Sequence, residues 1–258
     1  MTLKLQAVAA EALVYPESDG RPIADNTEQF RWIMTIQGGL DALFQNDPVV
    51  FVAGDLLWYP VEGKPKKRCA PDAMVVFGRP KGDRGSYLQW KEDNIPPQVV
   101  FEVLSPGNTT PEMERKLQFY TMYGVEEYYL YDPTTNTLKG WERKGDLLQR
   151  INPINGWVSP WLGIKFALGA ETLMLYHPTG EPFRTFVELS REYEEERQAR
   201  EQAQSWAEQA LIQAEKERQA REQAQVQTEK EREAREQAEQ RAAQLAAKLR
   251  ALGLDPDA

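Results

Sequence analysis

One cysteine, Cys69, and one histidine, His177, are all the chain contains of either type in 258 residues. A lone cysteine excludes an intramolecular disulfide and a cysteine-based zinc cluster, and a lone histidine argues against a histidine-rich metal site. Long apolar runs are missing too. None reaches the roughly 18 residues of a membrane-spanning helix, and the opening Met1-Thr-Leu-Lys-Leu5 has no signal-peptide apolar stretch, so a cytoplasmic protein without membrane contact is expected. Positive charge is not in excess: 31 Lys and Arg against 40 Asp and Glu leave a net −9. That argues against a globally basic nucleic-acid-binding surface while leaving room for a local basic groove. Against these absences stand 41% hydrophobic residues and seven tryptophans, enough for one sizeable core plus an extension.

Proline and glycine also vanish partway along the chain. Residues 190–252 hold neither, and Glu, Gln, Arg and Ala take over. Glu-Arg-Gln-Ala-Arg-Glu-Gln-Ala begins at 196 and again at 217, and a near copy begins at 231. The offsets are multiples of seven, which with high helix propensity predicts one long helix of roughly 90 Å. Glu196–Arg200, Glu217–Arg221 and Glu231–Arg235 are expected i,i+4 pairs. Ala199, Trp206, Ala220 and Ala234 share one heptad position, and Ala203, Ala210, Ala224, Ala238, Leu245 and Leu252 another. Gln213, Gln227, Arg241, Glu217 and Glu231 interrupt this seam, so a strong leucine zipper is not expected. A weak coiled coil giving a homo-oligomer and a solvated single helix both stay open, with Leu245, Leu249 and Leu252 the most apolar docking surface.

The expected organisation is an irregular arm over 1–26, a folded domain over 27–189, the charged helix over 190–252 and a tail over 253–258. A helix is predicted from Thr27 to Phe44, with Phe30, Ile33, Met34, Leu40 and Phe44 near helical spacing. Strands are predicted at Val49–Trp58, Ala73–Phe77 and Val99–Leu104. Thr110-Pro-Glu112 reads as a helix start, and that helix ends by Gly124. Strands at Glu127–Tyr131 and Thr137–Glu142 follow, and 147–189 reads as mainly β or irregular. The order α-β-β-β-α-β implies a mixed α/β sandwich.

Within this pattern Glu102 is a carboxylate inside an apolar strand, and Asp72 opens another. Burying such charges costs several kcal/mol (about 3–5 when one stands alone) unless a partner or metal compensates. Glu112, Lys116, Tyr120 and Tyr123 fall on one side of the following helix. Two carboxylates and an ammonium suit a Mg²⁺ site for phosphodiester hydrolysis, with the lysine positioning a water. The alternative is structural: Asp72 caps a strand end, Glu102 pairs with Arg115 or Lys116, and no metal binds.

Pro71-Asp72, Glu102-Val-Leu-Ser-Pro106, Glu112 through Lys116-Leu-Gln-Phe-Tyr120, and Gly124-Val-Glu-Glu-Tyr-Tyr-Leu-Tyr-Asp-Pro133 together resemble the Uma-type restriction endonuclease family of the PD-(D/E)XK nuclease superfamily. The resemblance runs from about Thr27 into the 180s and extends to the Glu- and Arg-rich helical tail. It implies a restriction-endonuclease-like mixed sheet flanked by helices. It also implies a DNA endonuclease using Mg²⁺ or Mn²⁺, with Asp72, Glu102 and the Val103 carbonyl as metal ligands and Glu28 as a first-helix contributor. The superfamily's strand lysine would fall at position 104, where this chain has Leu104; the family's helix lysine matches Lys116. Asp72, Glu102 and Lys116 are therefore the expected catalytic residues. The rival expectation is a catalytically silent nuclease-fold module that assembles through its long helix.

From Lys64 to Lys91 there are eight basic residues, Lys64, Lys66, Lys67, Arg68, Arg79, Lys81, Arg84 and Lys91, against Asp72 and Asp83. These loops are expected either to contact phosphates or to be simply solvated. A Ser105–His177 hydrolase arrangement lacks the Gly-x-Ser-x-Gly elbow, the Gly78, Gly82 and Gly85 spacing is not a dinucleotide fingerprint, and Cys69 reads as an inert thiol.

Overall fold

The computed structural model describes residues 13–20 and 22–251. Residues 1–12 of the arm, the Leu249 side chain, Leu252 and the 253–258 tail lie outside the described residues. The elements are α1 (Thr27–Leu43), β1 (Val50–Ala53), β2 (Trp58–Tyr59), β3 (Ala73–Phe77), β4 (Tyr87–Leu88), β5 (Val99–Val103), α2 (Thr110–Met122), β6 (Glu127–Asp132), β7 (Thr137–Lys144), β8 (Leu147–Arg150), β9 (Lys165–Leu168), β10 (Leu173–Tyr176) and α3 (Phe186–Ala251).

Six strands form one mixed sheet in the order β1-β3-β5-β6-β7-β8. β3 pairs antiparallel with β1 and β5, while β5 and β6 run parallel, as a strand–helix–strand crossover through α2 requires. The α-β-β-β-α-β order is therefore present as α1-β1-β3-β5-α2-β6, a mixed α/β fold. The strand expected over Val49–Trp58 is split in two: Gly54-Asp55 turns the chain between β1 and β2, with Asp55 at φ 49°. The β2–β4 and β9–β10 pairs lie outside the main sheet.

Alternation along β5 divides the interior into two cores. Val99, Phe101 and Val103 join Ile33, Ile36 and Leu40 of α1 on one face, together with Phe166 and Leu175 from the β9–β10 hairpin. Val100 joins Met74, Val76, Tyr128 and Leu130 on the other face, where α2 contributes Tyr120 with Met113, Leu117 and Phe119. On α1 the buried stripe is Gln29, Ile33, Ile36 and Leu40, whereas Phe30 and Met34 are exposed. Spacings of four, three and four keep the first set on one line, and a shift of one residue turns a side chain about 100° away.

Two devices fix α2. Its N-cap is Thr109, one residue earlier than expected, with Glu112 accepting the Thr109 N–H at 3.5 Å. At its other end Arg143 of β7 donates to the carbonyls of Thr121 (2.8 Å), Tyr120 (3.3 Å) and Val125 (2.8 Å). The Tyr120 and Thr121 carbonyls lie in the last turn of the helix, so a guanidinium there meets the negative end of the dipole and adds to the Val125 N–H that Tyr120 already accepts at 3.1 Å.

The chain divides into two compact units, residues 1–189 and 190–258. α3 is exposed along its length, including Trp206 and Leu245. Among the described residues its ion pairs fall on Glu194–Arg197, Arg197–Glu201, Glu215–Arg218, Arg218–Glu222, Glu229–Arg232, Arg232–Glu236 and others. None of the three pairs expected from the repeat is among them. Arg197, Arg218 and Arg232 each have a glutamate three residues before and four residues after them, whereas Arg200 and Arg221 have one only four residues before, and solvated pairs differ too little for the sequence to select among them.

Candidate active site

Asp72 and Glu102 meet because of register. The β3–β5 ladder pairs Ala73 with Phe101, so the next pair outward sets Asp72 opposite Glu102. Where the ladder ends, the Asp72 side chain replaces a backbone acceptor: its Oδ2 takes the Val103 N–H at 2.6 Å. Asp72 Oδ1 accepts no hydrogen bond from the described residues.

Glu102 is 3% exposed and points to the α2 face of the sheet. Lys116 and Tyr120, one helical turn apart, close on it from above. Lys116 Nζ donates to Glu102 Oε2 at 2.7 Å, and the Tyr120 hydroxyl donates to Oε1. Arg115 is not the partner of Glu102. Asp72, Glu102 and Lys116 are thus brought to one place from β3, β5 and α2.

The charges there act on one another. Burial and the neighbouring Glu102 charge hold the Asp72 carboxyl well above the usual carboxylate range, with Lys116 and the Val103 N–H pulling the other way. Burial works against the Lys116 ammonium, but the charges of Glu102 and Asp72 and the bond to Glu102 outweigh it and raise its pKa. Lys116 is therefore a cation throughout the physiological range and not a general base. Burial pushes the Cys69 thiol up to about 12, which leaves it protonated and unreactive.

The site opens into a cavity of about 510 Å³ lined by Asp55, Asp72, Cys69, Lys116, Gln29 and Glu112, among others. Residues 19 and 22–25 of the arm form part of its wall, and Lys66 and Arg68 another part. The arm is tied down beside it: the Tyr59 hydroxyl donates to the Pro16 carbonyl (2.6 Å), and the Ser105 hydroxyl donates to Asp25 (2.5 Å).

Two residues of this wall, Gln29 and Asp55, are absent from the sequence expectation. Gln29, not Glu28, is the α1 residue that reaches the site; its Nε2 donates to the Val103 carbonyl at 2.8 Å, while its Oε1 accepts the Asp25 N–H at 2.8 Å. Glu28 is exposed and does not line the cavity, because it sits 100° around α1 from the buried stripe. Asp55 is held by its own N–H to the Pro71 carbonyl at 3.0 Å. Burial, then Asp19 and Glu102, raise its pKa against the pull of Lys116. The split of the β1–β2 region at Gly54-Asp55 was the one local signal for Asp55, since such a dipeptide marks a turn.

The basic run divides. Arg79 and Arg84 both bond Glu92 at 2.8 Å, Arg84 lies 3.9 Å over the Phe51 ring, and Lys81 stands 3.6 Å from Asp41. Those three are committed to the protein. Lys64, Lys67 and Lys91 are exposed, and Lys66 and Arg68 face the cavity. Ser105 bonds Asp25, and His177 stacks on Phe183.

Among the described residues no three His, Cys, Asp or Glu side chains are grouped so as to enclose a metal by themselves. The donors that do converge are two carboxylates and, through the Gln29-bound Val103 carbonyl, one main-chain oxygen. All are hard oxygens, and Asp72 has an oxygen to spare in a setting that disfavours its charge. This suits Mg²⁺, which commonly takes one or two carboxylates and completes its shell with water and phosphate.

Residues 18–164 match the Uma2 family, described as "Putative restriction endonuclease". A search among curated proteins finds no match. Among solved structures, that of "a putative nuclease belonging to DUF820 from Anabaena variabilis ATCC 29413" is similar at 12% identity and a TM-score of 0.39, over 52% of this chain and 72% of that one. No helix among the described residues is long and apolar enough to cross a membrane.

Proposed function

We infer that this chain, which belongs to the Uma2 family, is an endonuclease that hydrolyses DNA phosphodiester bonds with Mg²⁺ or Mn²⁺ held by Asp72, Glu102 and the Val103 carbonyl. The observation that carries this reading is the meeting of Asp72, Glu102 and Lys116, with Asp72 and Lys116 lining one cavity and Glu102 buried directly behind them. A bound divalent ion supplies charge neutralisation at phosphate oxygens and a water of lowered pKa. Asp72 and Glu102 set two carboxyl groups side by side, and in the metal-free protein burial and this neighbour disfavour the Asp72 charge. Lys116 carries three N–H donors, of which one goes to Glu102; the others serve to orient the attacking water or a phosphate oxygen in the cavity. Gln29 holds the Val103 carbonyl and the arm backbone at once. Lys66 and Arg68 give an anionic backbone its nearest positive contacts, and such contacts are salt-sensitive and independent of sequence.

The test is cleavage of single-stranded, linear and supercoiled DNA with Mg²⁺ or Mn²⁺. Asp72→Asn, Glu102→Gln and Lys116→Met are each expected to lower the rate by 100-fold or more, in line with loss of electrostatic stabilisation at a reacting phosphate (about 10²–10³). A wild-type protein that cleaves none of these substrates and binds neither cation refutes the reading.

A second reading, a silent nuclease-fold module, draws on the occupation of both Glu102 oxygens by Lys116 and Tyr120. In either case α3 is the element proposed for assembly with a second copy, since Trp206 and Leu245 occupy the two heptad positions and are 69% and 61% exposed. Removal of residues 190–258 is expected to lower the oligomeric state read by sedimentation while the remaining unit stays folded. A monomeric full-length chain defeats the assembly proposal.

A further inference from the structure

Tyr120 is wholly buried, yet its hydroxyl is engaged twice. It contacts Glu102 Oε1 and lies 3.2 Å from Cys69 Sγ. An ionised carboxylate is acceptor-only, so the Tyr120 proton points to Glu102, and the thiol proton then points to the Tyr120 oxygen. With Glu102 as the acceptor, the short chain runs from Cys69 to Tyr120 to Glu102.

Packing does not require that hydroxyl. The Tyr120 ring sits among Trp58, Phe119 and Tyr128, with centroids 6.4, 5.9 and 5.0 Å away, and a phenylalanine ring would make the same contacts. A phenol there brings a polar group that must find a partner. Tyr128, its neighbour, shows the cost, since its buried hydroxyl has no hydrogen-bond partner among the described residues. Tyr120 spends its hydroxyl on the one oxygen of Glu102 that Lys116 leaves.

Resting on the nuclease reading above, we propose that Tyr120 is a positioning residue that sets cation specificity, by committing Glu102 Oε1 and so restricting Glu102 to one ligating oxygen. Mg²⁺ and Mn²⁺ sites are small and octahedral, and one oxygen per carboxylate serves them. Ca²⁺ takes six to eight oxygens and gains from a carboxylate bound through both. With Oε1 held by α2, Glu102 presents Oε2 only, beside the Lys116 ammonium. The same helical turn thus supplies the lysine and the group that stops the carboxylate from rotating. Loss of the hydroxyl releases Oε1, loosens Glu102 and opens the two-oxygen mode.

The test is titration calorimetry of the full chain with Mn²⁺ and separately with Ca²⁺, in wild type, Tyr120→Phe, Cys69→Ala and Asp72→Asn, with melting curves to confirm folding. In Tyr120→Phe the Mn²⁺ affinity is expected to fall about tenfold, the low end for loss of a ligand-orienting hydrogen bond. Ca²⁺ affinity holds or rises, so the Mn²⁺/Ca²⁺ preference drops at least tenfold. Cys69→Ala keeps the Tyr120–Glu102 bond and is expected to keep the wild-type preference. Equal losses for both cations in Tyr120→Phe, or the same change of preference in Cys69→Ala, overturn the proposal and mark Tyr120 as packing. In those cases Asp72→Asn still abolishes Mn²⁺ binding, so the nuclease reading stands. If wild type binds no Mn²⁺, both fall together.

Discussion

Replacing Lys116 by methionine tests the electrostatics of the site without reference to catalysis. Glu102 is 3% exposed and its Oε2 pairs with the Lys116 ammonium at 2.7 Å, with the lysine side chain 21% exposed. Methionine keeps most of the aliphatic stem and removes the ammonium, leaving a buried carboxylate held only by the Tyr120 hydroxyl. Breaking a buried pair from one side costs about 3–5 kcal/mol, and the partial exposure of Lys116 places this case near about 3. For a unit of this size, 1 kcal/mol corresponds to about 2–4 °C, so the midpoint should fall by about 6–12 °C. The assay is tryptophan fluorescence melting in the presence of EDTA; six of the seven tryptophans precede residue 190, so the signal reports the sheet unit and not α3. The double variant Lys116→Met/Glu102→Gln removes the orphaned charge while its amide oxygen still accepts from Tyr120, and most of the loss should return. A single variant that melts within a degree or two of wild type refutes the reasoning, as does a double variant less stable than the single one.

Two further outcomes follow from the sheet unit. Glu127 is 1% exposed, accepts from Tyr129 (2.9 Å), Ser159 and the Trp161 N–H (3.2 Å), and burial raises its pKa above 4.5 despite those bonds. A raised folded value means its favourable contribution is complete below about pH 4.5 and is lost as pH rises through the folded value. Urea midpoints should therefore show wild type losing stability relative to Glu127→Gln between pH 4 and 7; the opposite slope refutes the assignment. Gly140→Ala would place a Cβ 2.6 Å from Ile154 Cδ1, 3.1 Å from Ile151 Cδ1 and 3.2 Å from Tyr129 Cδ1, and this overpacking should cost about 1–3 kcal/mol in urea denaturation without a change in m.

What the sequence discloses and what it hides divides along contact range. Ala73–Phe77 and Val99–Val103 are short apolar runs bounded by turn residues, and α2 carries its own start and stop, so local pattern suffices for each. The acids on those strands stand out because a charge in an apolar run is anomalous wherever the strand ends up. Gln29 gives no such signal. It is a polar residue on a helix, and only the phase of α1 against β5, set across 74 residues, decides that it and not Glu28 meets Val103. Phe30 and Met34 mislead for the same reason: their hydrophobicity competes with Ile33 and Ile36 for the core stripe, and the tighter β-branched pair prevails. On α3 the ion pairs escape prediction through degeneracy, not distance.

Lys116 shows how a helix can deliver an ammonium to a carboxylate on a neighbouring strand. Side chains at 102 and 104 of an extended strand point to the same face, so a lysine at 104 would stand beside Glu102 above the α2-facing core. Here Leu104 packs against that same core, and its N–H bonds the Tyr131 carbonyl at 2.7 Å. α2 lies over this face, with Tyr120 in the core and Lys116 one turn earlier, so an ammonium carried by the helix arrives at Glu102 from above. Both routes obey one constraint: the charge must be delivered on the side to which Glu102 points. Carriage on the helix leaves the strand end to apolar packing and couples the lysine to the helix ends fixed by Thr109, Glu112 and Arg143. The position of the ammonium then depends on how α2 is held, with Arg143 gripping the far end of that helix, whereas Asp72 is anchored by β5 itself.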